Sequence, residues 1–191
     1  MFTSLHNHTE YSNSHLLDAV IKPKKLINKA ISLGFDGVAV TDHDCLSAAV
    51  TLLKIRDEIK EEHPNFKIIF GNEIYLVDDN HDNIIKYFHF ILLAKDREGW
   101  EQLKELSSRA WTRSYVERGI RRTPTTYKDI EEVVGSNPGH LLCSSACLGS
   151  ELDYYILQKD VANANKFVRW CISIFGQENV ALEIQPSDSE E

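Results

Sequence analysis

The chain has no apolar run approaching the roughly 20 residues that cross a bilayer, which excludes a helical membrane span. Its start, MFTSLHNH, has neither a basic n-region nor a long apolar stretch, so no secretory leader is expected. Cysteine is sparse: Cys45, Cys143, Cys147 and Cys171 are scattered, without the paired spacing of a metal knuckle. Reduced thiols are expected rather than a disulfide framework. Positive charge is in deficit too. A formal net charge of -8 disfavours a domain whose main task is gripping nucleic acid, and leaves room only for a local basic patch. No internal repeat is evident. What remains is the expectation of a cytoplasmic, non-membrane globular domain. Its 191 residues, 42% hydrophobic and 26% charged, suffice for one core.

Strand-like and helix-like segments alternate along the sequence. FTSLH reads as a short strand, and KPKKLINKAISLG as a helix with Leu26, Ile27, Ala30 and Ile31 on one face. DGVAVTDH reads as a strand buried on both faces, LSAAVTLLKIRDEIKEE as a helix, and FKIIFGNEIYLV as a strand bent at Gly71. After the loop DDNHDN come the strand KYFHFILLA, a long helix REGWEQLKELSSRAWTRSYVERG and a short one in TTYKDIEEVVG. HLLCSSACLG, DVANANKFVRWCISIFG and NVALEIQ complete the series as strand, helix and strand. This alternation implies an α/β fold with a largely parallel sheet, open or closed into a barrel.

Most of the chemistry sits at strand ends. LHNHTEYSNSHLLD packs His6, His8, His15 and Asp18 beside the first strand. On extended backbone, residues two apart share a face, so His6 and His8 can aim at one ion. His43 ends GVAVTDH; a lone histidine there is more commonly a satisfied core residue. Asp42 offers either a cap for the helix near Leu46 or an acceptor that orients an imidazole. Glu73 interrupts an apolar strand, and a buried carboxylate is costly unless paired or metal-bound. His89, between Phe88 and Phe90, poses the same question. Cys147 follows small residues at a strand-to-helix turn, where a free thiol is usually a small buried hydrophobe. Taken together, these residues place an imidazole, carboxylate or thiol at the edge of nearly every strand. Such ligands suit zinc, manganese and iron, and a site with more than four of them implies more than one ion. Multi-metal sites of this kind hydrolyse phosphate esters.

The order HNHTEYS, LLD, VTDH, GNEIY, YFHFILLAKDREG, SSACLGSE resembles the PHP (polymerase and histidinol phosphatase) domain. LLAKDREGWEQLKELSSRAW, RGIRRTP and SSACLGSEL narrow the resemblance to the N-terminal PHP domain of bacterial DNA polymerase III alpha subunits. The likeness covers essentially all of residues 1–191. It implies a distorted seven-stranded β/α (TIM-like) barrel, truncated here at its C-terminal end, with two or three divalent ions (Zn, Mn or Fe) at strand ends. By that resemblance His6 and His8 hold one ion and Glu73 bridges to a second. His89 and Cys147 complete the second, and Asp18 and His43 hold a third, with His15 competing for Asp18's place. Glu73, His43 and His89 stand as the catalytic candidates. The family's late Asp-x-His pair has no counterpart in this sequence.

The implied function is metal-assisted phosphoester hydrolysis within a DNA-directed DNA polymerase, used for 3′-5′ exonucleolytic proofreading or pyrophosphate removal. Implied partners are DNA, other polymerase domains and a separate proofreading exonuclease subunit. The competing readings are a stand-alone phosphatase for a small phosphomonoester such as histidinol phosphate, and a metal-free scaffold. Arg118, Arg121 and Arg122 are the densest basic cluster, suited to DNA phosphates or a neighbouring domain and equally to plain solvation. Trp100, Trp111 and Trp170 read as core or interface anchors; His63, His81 and His140 receive no role.

Overall fold

A computed structural model describes residues 2–14, 19–79, 86–117 and 119–185. His15, Asp18, His81 and Arg118 lie outside the described residues. A mixed sheet of seven strands runs β1 (Thr3–Ser4), β2 (Gly37–Val40), β3 (Lys67–Val77), β4 (Phe88–Ala94), β8 (Leu141–Ser144), β9 (Val180–Ala181), with β7 (Pro124–Thr126) added beside β3. A separate hairpin joins β5 (Tyr115–Glu117) to β6 (Ile120–Arg122). Among the described residues, six α-helices accompany the strands: α1 (Pro23–Ser32), α2 (Ala49–Ile59), α3 (Arg97–Thr112), α4 (Tyr127–Val133), α5 (Glu151–Leu157) and α6 (Val161–Phe175). No helix among the described residues is long and apolar enough to cross a membrane.

The largely parallel expectation holds for the pairs β1–β2, β2–β3, β3–β7 and β8–β9, and fails at one strand, β4. β1, β2 and β3 are parallel, but β4 runs antiparallel to both β3 and β8. β3 ends at Val77 and β4 begins at Phe88, a connection shorter than the roughly dozen residues that a parallel crossover needs, so the neighbour is antiparallel. The long helix is also shorter than its pattern suggested. α3 ends at Thr112, and the sequence expected to prolong it becomes the β5–β6 hairpin, which turns through Gly119 at a φ of 80°. A residue with a Cβ rarely adopts that conformation.

Alternation along the strands separates the two faces. Ile74, Leu76, Phe90 and Leu92 point outward into one core with Leu103, Leu106, Ile130, Leu141, Phe167 and Phe175 from the helices and β8. Val38 and Val40 pack against Ile27, Ala30, Leu52 and Ile55 of α1 and α2. The opposite face holds a smaller cluster, Ala39, Ile91, Leu93 and Ala146, and it is the face that carries Glu73, Tyr75 and His89. At Gly71 strand β3 changes partner, from β2 to β4. A Cβ there would come within 2.6 Å of Leu93, 2.8 Å of Thr41 and 2.9 Å of the Leu92 carbonyl, so only glycine lets the strands approach. The sheet curls: His6, just beyond β1, reaches Glu183, just beyond β9, although these strands end opposite sides of the pairing order.

Candidate metal centre

Each segment that reaches the concave face is held by its own backbone bonds. Beyond β1 the chain lies alongside β2: the Thr41 amide donates to the Asn7 carbonyl at 2.9 Å, and Asn7 Nδ2 donates to the Ala39 carbonyl at 2.9 Å. This places His6 and His8 at the end of β2. The Asp44 amide donates to the Glu73 carbonyl (2.9 Å) and the Glu73 amide to the Asp42 carbonyl (3.3 Å), bringing His43 beside Glu73. The β3–β4 register sets Tyr75 opposite His89, and the His89 amide donates to the Gly149 carbonyl at 3.0 Å, close to Cys147. Two residues next to site positions have left-handed backbone, Asp44 at φ 52° and Ala146 at φ 62°. Such strain persists only where the surroundings over-determine it, and it clusters at functional sites.

Glu73 is the focus. Its side chain is 1% exposed. One carboxylate oxygen, Oε2, faces His8 Nε2 at 2.9 Å, His43 Nδ1 at 3.2 Å and His6 Nε2 at 3.4 Å. The other, Oε1, faces His89 Nδ1 at 2.8 Å and Cys147 Sγ at 4.0 Å. Cys147 Sγ lies 3.4 Å from His89 Nδ1. The rings of His8 and His43 stack with centroids 4.3 Å apart. Donor atoms of His6, His8 and Glu73 all lie within 4.8 Å of one another, as do those of His43, Glu73 and His89. Among the described residues, no Lys or Arg pairs with Glu73.

The electrostatics follow from that crowding. Burial works against an ionised Glu73, but hydrogen bonds from His6, His8 and His89 and the charge of His43 outweigh it and hold the carboxyl well below the usual range. Burial likewise disfavours charged His6 and His89. Glu183 and Glu73 overcome it at His6, and Cys147 and Glu73 at His89, raising both imidazoles to about 10. Protons on these rings occupy the directions in which a cation would bind. Clustered imidazoles, a thiol and a shared buried carboxylate form a donor set that fits a transition-metal or zinc centre.

Asp42 is not a helix cap; α2 begins after Ala48 with no side-chain cap. Its buried carboxylate instead accepts from the Thr9 amide (2.6 Å), the Thr9 hydroxyl (2.9 Å) and the Ser12 hydroxyl (2.9 Å). Ser12 Oγ in turn accepts from the His43 amide at 3.1 Å and lies 3.2 Å from His8 Nδ1. Asp42 thus braces two candidate ligands through one serine. Sequence reasoning missed Ser12 and Glu183. The signal for Glu183 was present, a carboxylate inside the apolar run NVALEIQ, as for Glu73 in its strand.

The remaining candidates divide. The side chains of His6, His8, His43, Glu73, His89 and Cys147 are brought together, while His140 pairs with Asp96 at 2.8 Å on the surface. Arg121 donates to the Ser114 hydroxyl at 3.0 Å, and Arg122 lies 4.6 Å over the Tyr87 ring. Tyr87 touches Tyr75, which stacks on His43, so the basic hairpin stands at the rim of the centre. Trp111 donates to the Asp44 carbonyl at 2.7 Å, pinning the strained turn after His43. Trp170 packs among Phe90, Phe167 and Phe175 as a core anchor.

The model of the PHP domain family matches residues 4–187. The chain belongs to the PHP domain family. Similar relatives are named as polymerases: a probable DNA polymerase, YorL, of Bacillus subtilis is 37% identical over 97% of this chain. DNA polymerase III subunit alpha of Treponema pallidum is 32% identical over 96% of the chain, and that of Thermus aquaticus 31% over 96%. This PHP chain spans only 14–16% of the length of these relatives. Among solved structures, an amidohydrolase from Chromobacterium violaceum aligns over 56% of this chain and 33% of its own, at 18% identity and a TM-score of 0.37. That likeness is too loose to add to the argument.

Proposed function

We propose that residues 1–191 form the PHP module of a DNA polymerase, and that its Glu73-centred cluster binds divalent cations and hydrolyses phosphoester bonds at a DNA 3′ end. The observation that carries this is the buried Glu73 carboxylate, met on its two oxygens by His6, His8, His43 and His89. His6, His8 and Glu73 would hold one ion. Glu73, His43 and His89 would hold a second, with Cys147 beside it. Asp18 would serve a third, completing the two or three ions of Zn, Mn or Fe that the donor chemistry accepts. When bound, such ions lower the pKa of a water and neutralise charge on the phosphoryl oxygens.

The chain's own groups hold geometry rather than shuttle protons. Glu73 belongs to both ligand groups, its Oε2 facing His6, His8 and His43 and its Oε1 facing His89. Arg122, at the rim, is suited to phosphate oxygens of the strand. The polymerase relatives favour this reading over a stand-alone phosphatase. We extend it to a closed seven-stranded barrel, to 3′-5′ proofreading in the cytoplasm, and to contacts with other polymerase domains and an exonuclease subunit.

The test is cleavage of a 3′-end-labelled primer by the protein supplied with Zn²⁺, Mn²⁺ or Fe²⁺. Cleavage that His8→Ala abolishes supports the reading. Bound metal without cleavage would leave a metal-stabilised scaffold and remove the enzymatic claim.

A further inference from the structure

We propose that Glu183 is a positioning residue for the metal centre, its carboxylate fixing a proton on His6 Nδ1 and so presenting His6 Nε2 to the cation. This rests on the metal-binding reading above. Glu183 Oε1 lies 2.7 Å from His6 Nδ1. An ionised carboxylate can only accept, so the hydrogen must sit on Nδ1. The opposite ring nitrogen, Nε2, then faces the cluster, 3.1 Å from His8 Nε2 and 3.4 Å from Glu73 Oε2. A metal-binding imidazole whose other nitrogen donates to a carboxylate is locked in tautomer and orientation and made more basic.

Glu183 is itself held firmly. Its second oxygen accepts from the Ser144 hydroxyl at 3.0 Å, and its amide donates to Ser145 Oγ at 2.9 Å. Gln185 Nε2 donates to Oε1 at 2.6 Å. One carboxylate oxygen thus meets the back of the His6 ring and the other meets Ser144, which marks a support for a ligand and not a ligand. The strut also crosses the sheet from the end of β9 to the end of β1, so the first metal-binding segment is oriented by the last described strand. His8 is braced differently, by the neutral Ser12 hydroxyl.

The experiment is metal titration of the full-length protein, wild type against Glu183→Gln and Glu183→Ala. Zn²⁺ affinity is read by competition with a chromophoric chelator and site geometry by the Co²⁺ absorption spectrum. Glu183→Ala should weaken one class of sites about 10–100-fold without changing stoichiometry. Glu183→Gln, which keeps an acceptor but loses the charge, should fall between the two and shift the Co²⁺ bands. Should the alanine variant fail to fold, the nearly isosteric glutamine variant carries the test alone. Wild-type affinity in both variants overturns the positioning role while leaving the metal centre standing. Loss of a whole equivalent of metal overturns it in the other direction, making Glu183 a ligand. A wild-type protein that binds no metal sinks the reading beneath it as well.

Discussion

Replacing Asp42 by alanine should damage the metal centre without touching a ligand. The carboxylate, 1% exposed, accepts from the Thr9 amide, the Thr9 hydroxyl and the Ser12 hydroxyl, and Thr9 and Ser12 are themselves fully buried. Removing the acceptor strands those donors, at about 1–3 kcal/mol for each buried group. The hydroxyls can rotate toward other acceptors and the amide cannot, so the total should be about 3–5 kcal/mol. With a urea m-value of about 2–3 kcal/mol/M, the unfolding midpoint drops by roughly 1–2.5 M. Because a typical domain has about 5–15 kcal/mol in hand, the fold survives in most of that range. Ser12 is released as well, and with it the brace on His8 and His43. Metal affinity should therefore fall even in the fraction that is folded. Asp42→Asn keeps the shape but offers an amide where donors converge, and should lie between wild type and alanine. Urea titration of the metal-free protein, followed by metal titration of the folded variant, makes the comparison. An alanine variant with the wild-type midpoint and wild-type metal affinity would refute the claim that Asp42 braces the site.

Gly71→Ala should destabilise by about 1–3 kcal/mol, the usual cost of overpacking, because the added Cβ meets Leu93, Thr41 and the Leu92 carbonyl; a thermal melt unchanged from wild type would contradict the close approach of β3 to its neighbours. Asp129 is held at about 2: burial raises it, but Arg113 and Thr126 more than compensate. A folded-state pKa below the ordinary 3.8 contributes stability that is complete above about pH 4 and lost as pH falls through about 2, at most about 2 kcal/mol. Urea unfolding from pH 5 downward should show that decline in wild type and not in Asp129→Asn; parallel curves would refute it. Trp111→Phe keeps the ring but removes the hydrogen bond to the Asp44 carbonyl, and should cost about 1 kcal/mol. A double-mutant comparison with Asp44→Gly, which relieves the positive φ at that turn, should reveal coupling; strict additivity would count against Trp111 pinning the turn.

Much of the site was legible because strand ends and alternation are local properties. His6 and His8 share a face by their spacing, and Glu73 stood out as a carboxylate in an apolar strand. What joined them to His89 and Cys147 was the order of motifs, since no local pattern reveals which strands become neighbours. The reversed direction of β4 escaped for the same reason. DDNHDN between two strands was read as a loop, yet its implication, an antiparallel return, was not drawn for the sheet. The β5–β6 hairpin escaped because the apolar spacing of α3 continues past Trp111, while Gly119, the residue that permits the turn, resembled an ordinary helix stop. Asp42 was read as either a cap or an orienting acceptor; only its contacts with Thr9 and Ser12 separate the two. Glu183 depends on a contact across 177 residues of sequence, which periodicity does not carry.

The most direct test of the central claim is the metal content of the purified protein, by elemental analysis after exposure to Zn²⁺ or Mn²⁺ and removal of the excess. Glu73 is shared by both ligand groups, so wild type should retain at least two equivalents, His8→Ala fewer, and Glu73→Gln almost none. Wild-type protein without bound metal, or a Glu73→Gln variant as fully loaded as wild type, would contradict it.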